Sequence, residues 1–232
     1  ALDAAGIENK LIEGLVGLTW TEDGDIVDAD DVPIRWVWKT WAWETALDQL
    51  REECEDDQEL MRDYRPGDKR NAPPRLVDVL LRPEVMVFEP LWTLIPSNKA
   101  ILPVLWKLFA NQRYLLNTAY ELTDDIRARG YAQKPIVGRR GENISLYDEN
   151  DEVMEETSGR FDSPYQIFQE FFPLPVLEGN NVQICTFTAG GTYAGSCVRI
   201  DPSLVISNDS DIVALRVVSD REFLEDFADA AD

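Results

Sequence analysis

The chain has 232 residues, 44% of them hydrophobic and 10% aromatic. That is enough for one large globular domain or two small ones around a sizeable core. Its 44 acidic and 22 basic side chains, with no histidine, give a formal charge of -22 and a pI near 4.3, a surface that repels nucleic acid and anionic membranes. The excess reads as a device for solubility, with a focused acidic pocket for a cationic partner such as a polyamine as the alternative. No apolar run reaches membrane-spanning length, and the opening ALDAAGIENK lacks the basic start and apolar stretch of a signal peptide. Cys54, Cys185 and Cys197 are an odd number at no metal-like spacing; they read as reduced and mostly buried, which suits the cytoplasm. The start at Ala rather than Met fits either a missing upstream segment or a processed Met.

Residues 1–32 read as a short helix and an acidic, Gly- and Asp-rich connection, and Pro33 to Trp38 alternates like a strand. Thr40 is placed to cap a helix running to Cys54, with Trp43, Ala46, Leu47 and Leu50 on one face. Residues 55–74 are charged and Pro-rich and read as a mobile loop and an internal boundary. A short helix at VDVLLRP, a strand from Glu84 to Phe88 and a helix from about Asn98 to Phe109 follow. Asp124 and Asp125 are placed to start a helix that Gly130 ends. AQKPIVGRRGENISLYD reads as strand, loop, strand; SPYQIFQEFF as a further strand after an acidic turn; VQICTFTAG and TYAGSCVRI as a hairpin about Gly190 and Gly191. REFLEDFADAAD is an acidic tail. Hairpin-joined strands mixed with helices predict an α+β layered fold rather than a doubly wound sheet.

The global charge hides a local exception. From Ile126 to Gly141 there are five basic residues, Arg127, Arg129, Lys134, Arg139 and Arg140, and no acidic one. Within it, Gly138-Arg139-Arg140-Gly141 lies between two expected strands. Glycines let backbone N–H groups approach phosphate oxygens, and arginine forms forked hydrogen bonds with phosphate or carboxylate. Alternation places Lys134, Ile136 and Gly138 on one face. On spacing alone such a string is more often an ordinary hairpin turn. It is neither a Walker loop, since no GKS or GKT follows, nor a dinucleotide fingerprint.

The strings VWKTWAWET (37–45), LLRPEVMVFEPLWTLIPSNKAILPVLW (80–106), YLLNTAYEL (114–122), KPIVGRRGENISL (134–146), and QICTFTAGGTYAGSCVR with SLVI (183–206) resemble the carboxy-terminal half of the glutathionylspermidine synthase family. The similarity, over about 35–218, is read as nearest its stand-alone bacterial acid–amine ligase members. It implies an ATP-grasp-like fold of mixed and antiparallel sheets with flanking helices, in which two α+β lobes hold ATP. Lys99 then matches a lysine on the ATP phosphates, and Lys134 one at the α-phosphate and adenine side. Gly141 with Arg140 matches the glycine-rich loop over the phosphates, Gln169 a nucleotide-contacting glutamine, and Glu170 to Phe172 the adenine hinge. Leu204, Val205 and Ile206 match a segment lining the base. Arg139 and Arg199 match arginines near the transferred phosphate and the acid substrate, which makes them the catalytic candidates.

The resemblance divides the chain into a linking region before the ATP-grasp lobes (1–74), the nucleotide-binding lobes (75–218) and an acidic tail (219–232). It implies an ATP-dependent ligase that joins a peptide-like acid to an amine, a polyamine by family analogy, through an acyl phosphate. Two departures stand out. Position 140 is Arg where relatives are expected to carry Cys or Glu. The family's magnesium ligands, an Asp and a Glu-x-Asn pair, lie in its amino-terminal half, and Glu142-Asn143 and Glu8-Asn9 are no convincing equivalents. No metal ligand is therefore assigned in this chain; Mg2+ is expected to be held by a missing amino-terminal part. Asp201 reads as a turn residue and Asp124 as a helix cap. The alternative function is a non-catalytic remnant that binds nucleotide or a partner.

Overall fold

The computed structural model describes residues 2–54, 72–161 and 164–221. Its packing divides the chain into two compact units, Ala1–Ile95 and Pro96–Asp232. The boundary loop expected at 55–74 lies, for residues 55–71, outside the described residues, as does the tail from 222 onward. The helix and strand that follow that loop pack into the first unit.

The first unit opens with a 3-10 turn at Asp3–Ala5. The acidic connection expected next contains a small antiparallel hairpin, β1 (Thr19–Trp20) and β2 (Ile26–Val27). Its turn residue Gly24 takes φ +85°, a conformation that disfavours a Cβ. β3 (Trp36–Trp38) pairs in parallel with β4 (Met86–Phe88). Between them in sequence run α1 (Trp43–Cys54) and α2 (Leu76–Leu80). Alternation sends Val37 and Val87 toward Trp43, Ala46, Leu76, Val77, Leu80 and Val85, and leaves Trp36, Trp38, Met86 and Phe88 exposed. Asp78 closes the start of α2 by accepting from the Arg75 backbone amide at 3.0 Å and from its guanidinium at 2.8 Å. Buried Asp28 accepts from Lys10 and from the backbone of Asp30 and Val32, and these bonds lower its pKa to about 2.

A short helix, α3 (Leu94–Ser97), crosses the division after Ile95, and the second unit then carries α4 (Ile101–Leu108) and α5 (Asp124–Arg127). Its main sheet has five antiparallel strands: β5 (Thr118–Ala119), β6 (Tyr131–Pro135), β7 (Ser145–Tyr147), β8 (Val153–Glu156) and β9 (Gln166–Glu170), in the order β5-β9-β6-β7-β8. β8 falls in the stretch expected to be an acidic turn. A second sheet runs β10 (Val176–Leu177), β11 (Asn180–Ala189), β12 (Thr192–Asp201) and β13 (Asp211–Val213). The β11–β12 hairpin turns at Gly190 and Gly191, both at positive φ, as the sequence predicts. Helices with mixed, mainly antiparallel sheets make the fold α+β. Ile126 and Ile167 are fully buried, and Val205 packs on Ala132 and Leu146. Among the described residues no helix is long and apolar enough to cross a membrane.

The helix at Asp124 is capped one residue earlier than expected. Thr123 supplies the capping oxygen to the Ile126 amide at 3.4 Å, and Asp124 sits in the first turn. The cysteines also differ from expectation. Cys185 and Cys197 are free thiols but only part-buried, because they sit on a hairpin with one end in solvent. The side chain of Cys54 lies outside the described residues.

Candidate functional site

The register of β6 against β9 builds the centre of the site. Lys134 faces Ile167 and Ala132 faces Gln169, so Lys134 and Gln169 are diagonal neighbours on one sheet face. Lys134 Nζ donates to Gln169 Oε1 at 2.7 Å, Gln169 Nε2 to Thr118 Oγ1 at 3.0 Å, and Thr118 Oγ1 to the Leu116 carbonyl at 2.9 Å. This chain fixes which way the buried amide points. Lys134 thus has a neutral partner.

β6 ends at Pro135, so the alternation expected through Gly138 stops there. The loop beyond is held by Lys99. Its backbone N–H donates to Ile136 O at 2.8 Å and its Nζ to Gly138 O at 2.6 Å. Asn98 sets this residue up by accepting the Ala100 amide at 2.8 Å ahead of α4. A Cβ added at Gly138 would lie 3.2 Å from Lys99 Nζ. Burial, and then the charge of Arg139, lowers the pKa of Lys99. Burial, and then Lys99, lowers that of Lys134 to about 8. Three cations therefore gather where the chain is otherwise acidic. Among the described residues neither lysine is in an ion pair; each is met by a carbonyl or amide oxygen.

At the loop's tip, Arg140 and Gly141 both take positive φ, +60° and +74°, and the Glu142 amide returns to Arg139 O at 3.2 Å. That is a turn with two left-handed central residues. At Gly141 a Cβ would stand 2.7 Å from Ile206 O and 2.9 Å from Val205 Cγ1, so only glycine fits. The loop thus lies against the segment Leu204 to Ile206. Val205 and Ile206 are buried and Leu204 is 36% exposed. Glu155 on β8 fixes this segment by accepting the Leu204 amide at 2.8 Å and the Val205 amide at 3.2 Å. Arg199 on β12 donates to Ser207 O, which places its guanidinium at the end of the same segment.

Lys99, Lys134, Gln169, Arg139, Arg140, Gly141 and the stretch Leu204 to Ile206 therefore form one connected region, with Arg199 joined through Ser207. Glu170 closes β9 and accepts from Arg129 at 3.1 Å; the Phe171 amide donates to Gly130 O at 3.0 Å, and Phe172 is exposed. Two members of the basic run lie outside the region. Arg127 pairs with Asp151 at 2.5 Å, and Arg129 with Glu170 and Asp125. Thr118, Glu155 and Thr157, whose hydroxyl donates to Gly141 O at 2.5 Å, are structural members that sequence reasoning missed. Their partners lie far along the chain, and no short motif marks them.

The acidic residues near the region are committed elsewhere. Glu142 accepts the Arg160 amide at 3.0 Å and Asn143 the Phe161 amide at 2.9 Å. Asp201 accepts from Ser203 N, Ser203 Oγ and Ser210 Oγ, the turn role expected of it, and these bonds lower its pKa. Among the described residues no three His, Cys, Asp or Glu side chains are grouped to hold a metal ion.

Residues 2–218 match the family model described as "Glutathionylspermidine synthase preATP-grasp". The chain belongs to the glutathionylspermidine synthase family. It is 50% identical over 218 residues to the bifunctional glutathionylspermidine synthetase/amidase of Escherichia coli, covering 94% of this chain and 35% of the relative. It is 38% identical over 220 residues to the trypanothione synthetase of Crithidia fasciculata, covering 94% of this chain and 33% of the relative. The putative acid–amine ligase of Haemophilus influenzae is 31% identical over 138 residues, 56% of this chain, a weaker likeness than these two, which corrects the expectation that such members are nearest. The chain spans about a third of the length of these curated relatives.

Proposed function

We propose that the second unit binds the polyphosphate of ATP for an ATP-grasp, carboxylate–amine ligase reaction. The carrying observation is the meeting of Lys99, Lys134 and the Gly138–Gly141 loop in one cationic site, each lysine held by a neutral oxygen. A strongly acidic protein attracts a polyphosphate only where it concentrates positive charge. The two glycines let the loop pack closely beside the lysines: a Cβ at Gly138 would crowd Lys99 Nζ, and one at Gly141 would meet Ile206 O. Names of the relatives, both synthetases, support the ligase class.

Bound ATP would supply the terminal phosphoryl group that turns a peptide-like carboxylate into an acyl phosphate, which an amine then attacks. In this reading Lys99 and Lys134 neutralise phosphate oxygens, and Arg140 with the Gly141 backbone covers them. Gln169 orients Lys134 and contacts the nucleotide, while Leu204, Val205 and Ile206 line its base. Arg139 and Arg199 steady the charge that develops on the transferred phosphoryl and the carbonyl oxygen. The carboxylates of Glu142 and Asp201 are committed to backbone and hydroxyl groups and do not fit a magnesium ligand set, so no step is assigned to a metal here. The peptide and polyamine classes of substrate, and a cytoplasmic setting, belong to this same reading.

The test is a thermal-shift titration of this chain with ATP, alongside Lys99→Ala and Lys134→Met. The expected result is a saturable rise in Tm for the parent, reduced in dose response by about 10- to 100-fold for each variant, as loss of a charged hydrogen bond implies. Equal responses in all three proteins, or none in any, refute the proposal.

A further inference from the structure

The β11–β12 hairpin carries two cysteines in register: Cys185 lies directly opposite Cys197. Both are free thiols and both are part-buried, so neither is sealed from a small reagent. Directly opposed residues in an antiparallel pair have Cα atoms about 4.5–5.5 Å apart, inside the roughly 4.4–6.8 Å that a disulfide spans. The bridge therefore needs no strand displacement. The two side chains share a strand face with the register pair Gln183 and Arg199, and the Cys185 thiol donates to Gln183 Oε1 at 3.7 Å. Burial, and then the facing Cys197 thiol, raises the pKa of Cys185. The bulge between Phe187 and Thr188 lies toward the tip and leaves this register intact. Nothing in the proposed nucleotide chemistry uses either sulfur.

We propose that Cys185 and Cys197 form a dithiol site that small-molecule disulfides convert reversibly into a cross-strand disulfide. One thiolate attacks a sulfur of the reagent, forming a mixed disulfide and releasing one thiol, which takes up a proton. The second cysteine loses its proton to solvent and attacks the protein sulfur of the mixed disulfide, releasing the second thiol. The balance is two protein thiols plus one reagent disulfide giving one protein disulfide plus two reagent thiols. The site stands two positions along β12 from Arg199, so its closure locks the strands beside that residue.

The folded chain is treated with 2-hydroxyethyl disulfide, alkylated and digested with trypsin, which leaves both cysteines in one peptide, residues 161–199. The expected product is that peptide lighter by two hydrogens, unalkylated, and restored by dithiothreitol. Cys197→Ser is expected to trap the reagent as a stable adduct on Cys185. The equilibrium oxidised fraction at a fixed thiol-to-disulfide ratio should correspond to an effective concentration at least about tenfold higher in the folded chain than in urea, because the register holds the pair. Persistent adducts on both cysteines of the parent, bridges to Cys54, or equal effective concentrations folded and in urea would overturn the proposal. None of these readouts depends on nucleotide binding.

Discussion

Each unit draws a lysine out of solvent, Lys39 buried and Lys134 half-buried, and the two are treated in opposite ways. In the first unit Lys39, its side chain 3% exposed, meets Glu89 Oε2 at 2.8 Å and the Trp41 carbonyl at 2.9 Å, and lies 5.0 Å from the centre of the Trp43 ring. Trp43 in turn donates to Glu89 O at 2.9 Å. That lysine is neutralised where it stands and ties β3 to the strand end after β4. In the second unit Lys134 receives an amide oxygen and a second lysine as neighbour, and its pKa falls to about 8. A buried cation left without a counter-ion costs stability. The contrast separates a lysine neutralised by a carboxylate from one met by a neutral amide oxygen, the one to which the proposed function gives the anion.

The largest effect is expected in the loop beside Lys99 and Lys134. Gly141→Ala would push a methyl into Ile206 O at 2.7 Å while forcing a left-handed backbone on a residue with a side chain. We expect a loss of about 3 kcal/mol in urea denaturation, together with loss of the ATP response. A loss below about 1 kcal/mol would mean that the loop yields easily.

Exchanging the two lysines sharpens the contrast directly. Lys39→Met should destabilise by about 1–2 kcal/mol, since it removes an ion pair and a ring contact. Lys134→Met at pH 7 should instead be neutral or stabilising by about 1 kcal/mol while losing nucleotide binding. Equal destabilisation by the two would erase the distinction. The pH dependence follows from the same shift. Below pH 8 Lys134 is charged in both folded and unfolded chains, so its cost to folding is fully present. Between about 8 and its ordinary value of 10.5, the folded chain has released the proton and the unfolded chain keeps it. The contribution of this group to stability therefore rises with pH, while an anion that needs the charged form binds more weakly. ATP-induced shifts measured from pH 7 to 9.5 should decline above about pH 8, and Lys134→Met should remove the inflection. The smallest effect is expected at Arg140, whose φ of +60° is costly for a long side chain. Arg140→Asn should gain about 0.5 kcal/mol by thermal melt, since Asn tolerates that conformation.

What the sequence made legible was local. The β11–β12 hairpin followed from alternation around two glycines, and α1 from the spacing of Trp43, Ala46 and Leu50. β8 was missed because Val153 to Glu156 reads as acid, and it is paired only because β7 offers it an edge. β13 was missed because three residues carry too little pattern. The parallel pairing of β3 with β4 is a property of distant segments and has no local signature. The same holds for the site. Lysines and glycines suggested a phosphate loop, but charge counting could not separate Arg127 and Arg129, whose partners are Asp151, Asp125 and Glu170, from Lys134, whose partner is an amide. Glu155 holds Leu204 and Val205 from a strand far along the chain, and only the fold reveals that service.

The clasp formed by Glu142 and Asn143 has a practical consequence. At Gly159 any side chain would collide with the Glu142 Cβ at 2.4 Å, and the next two amides end on Glu142 and Asn143. Any outward swing of the turn would strip Arg160 and Phe161 of their acceptors. The exchange of those two amide protons with deuterated solvent would therefore time any such opening in the unlabelled, unmutated chain.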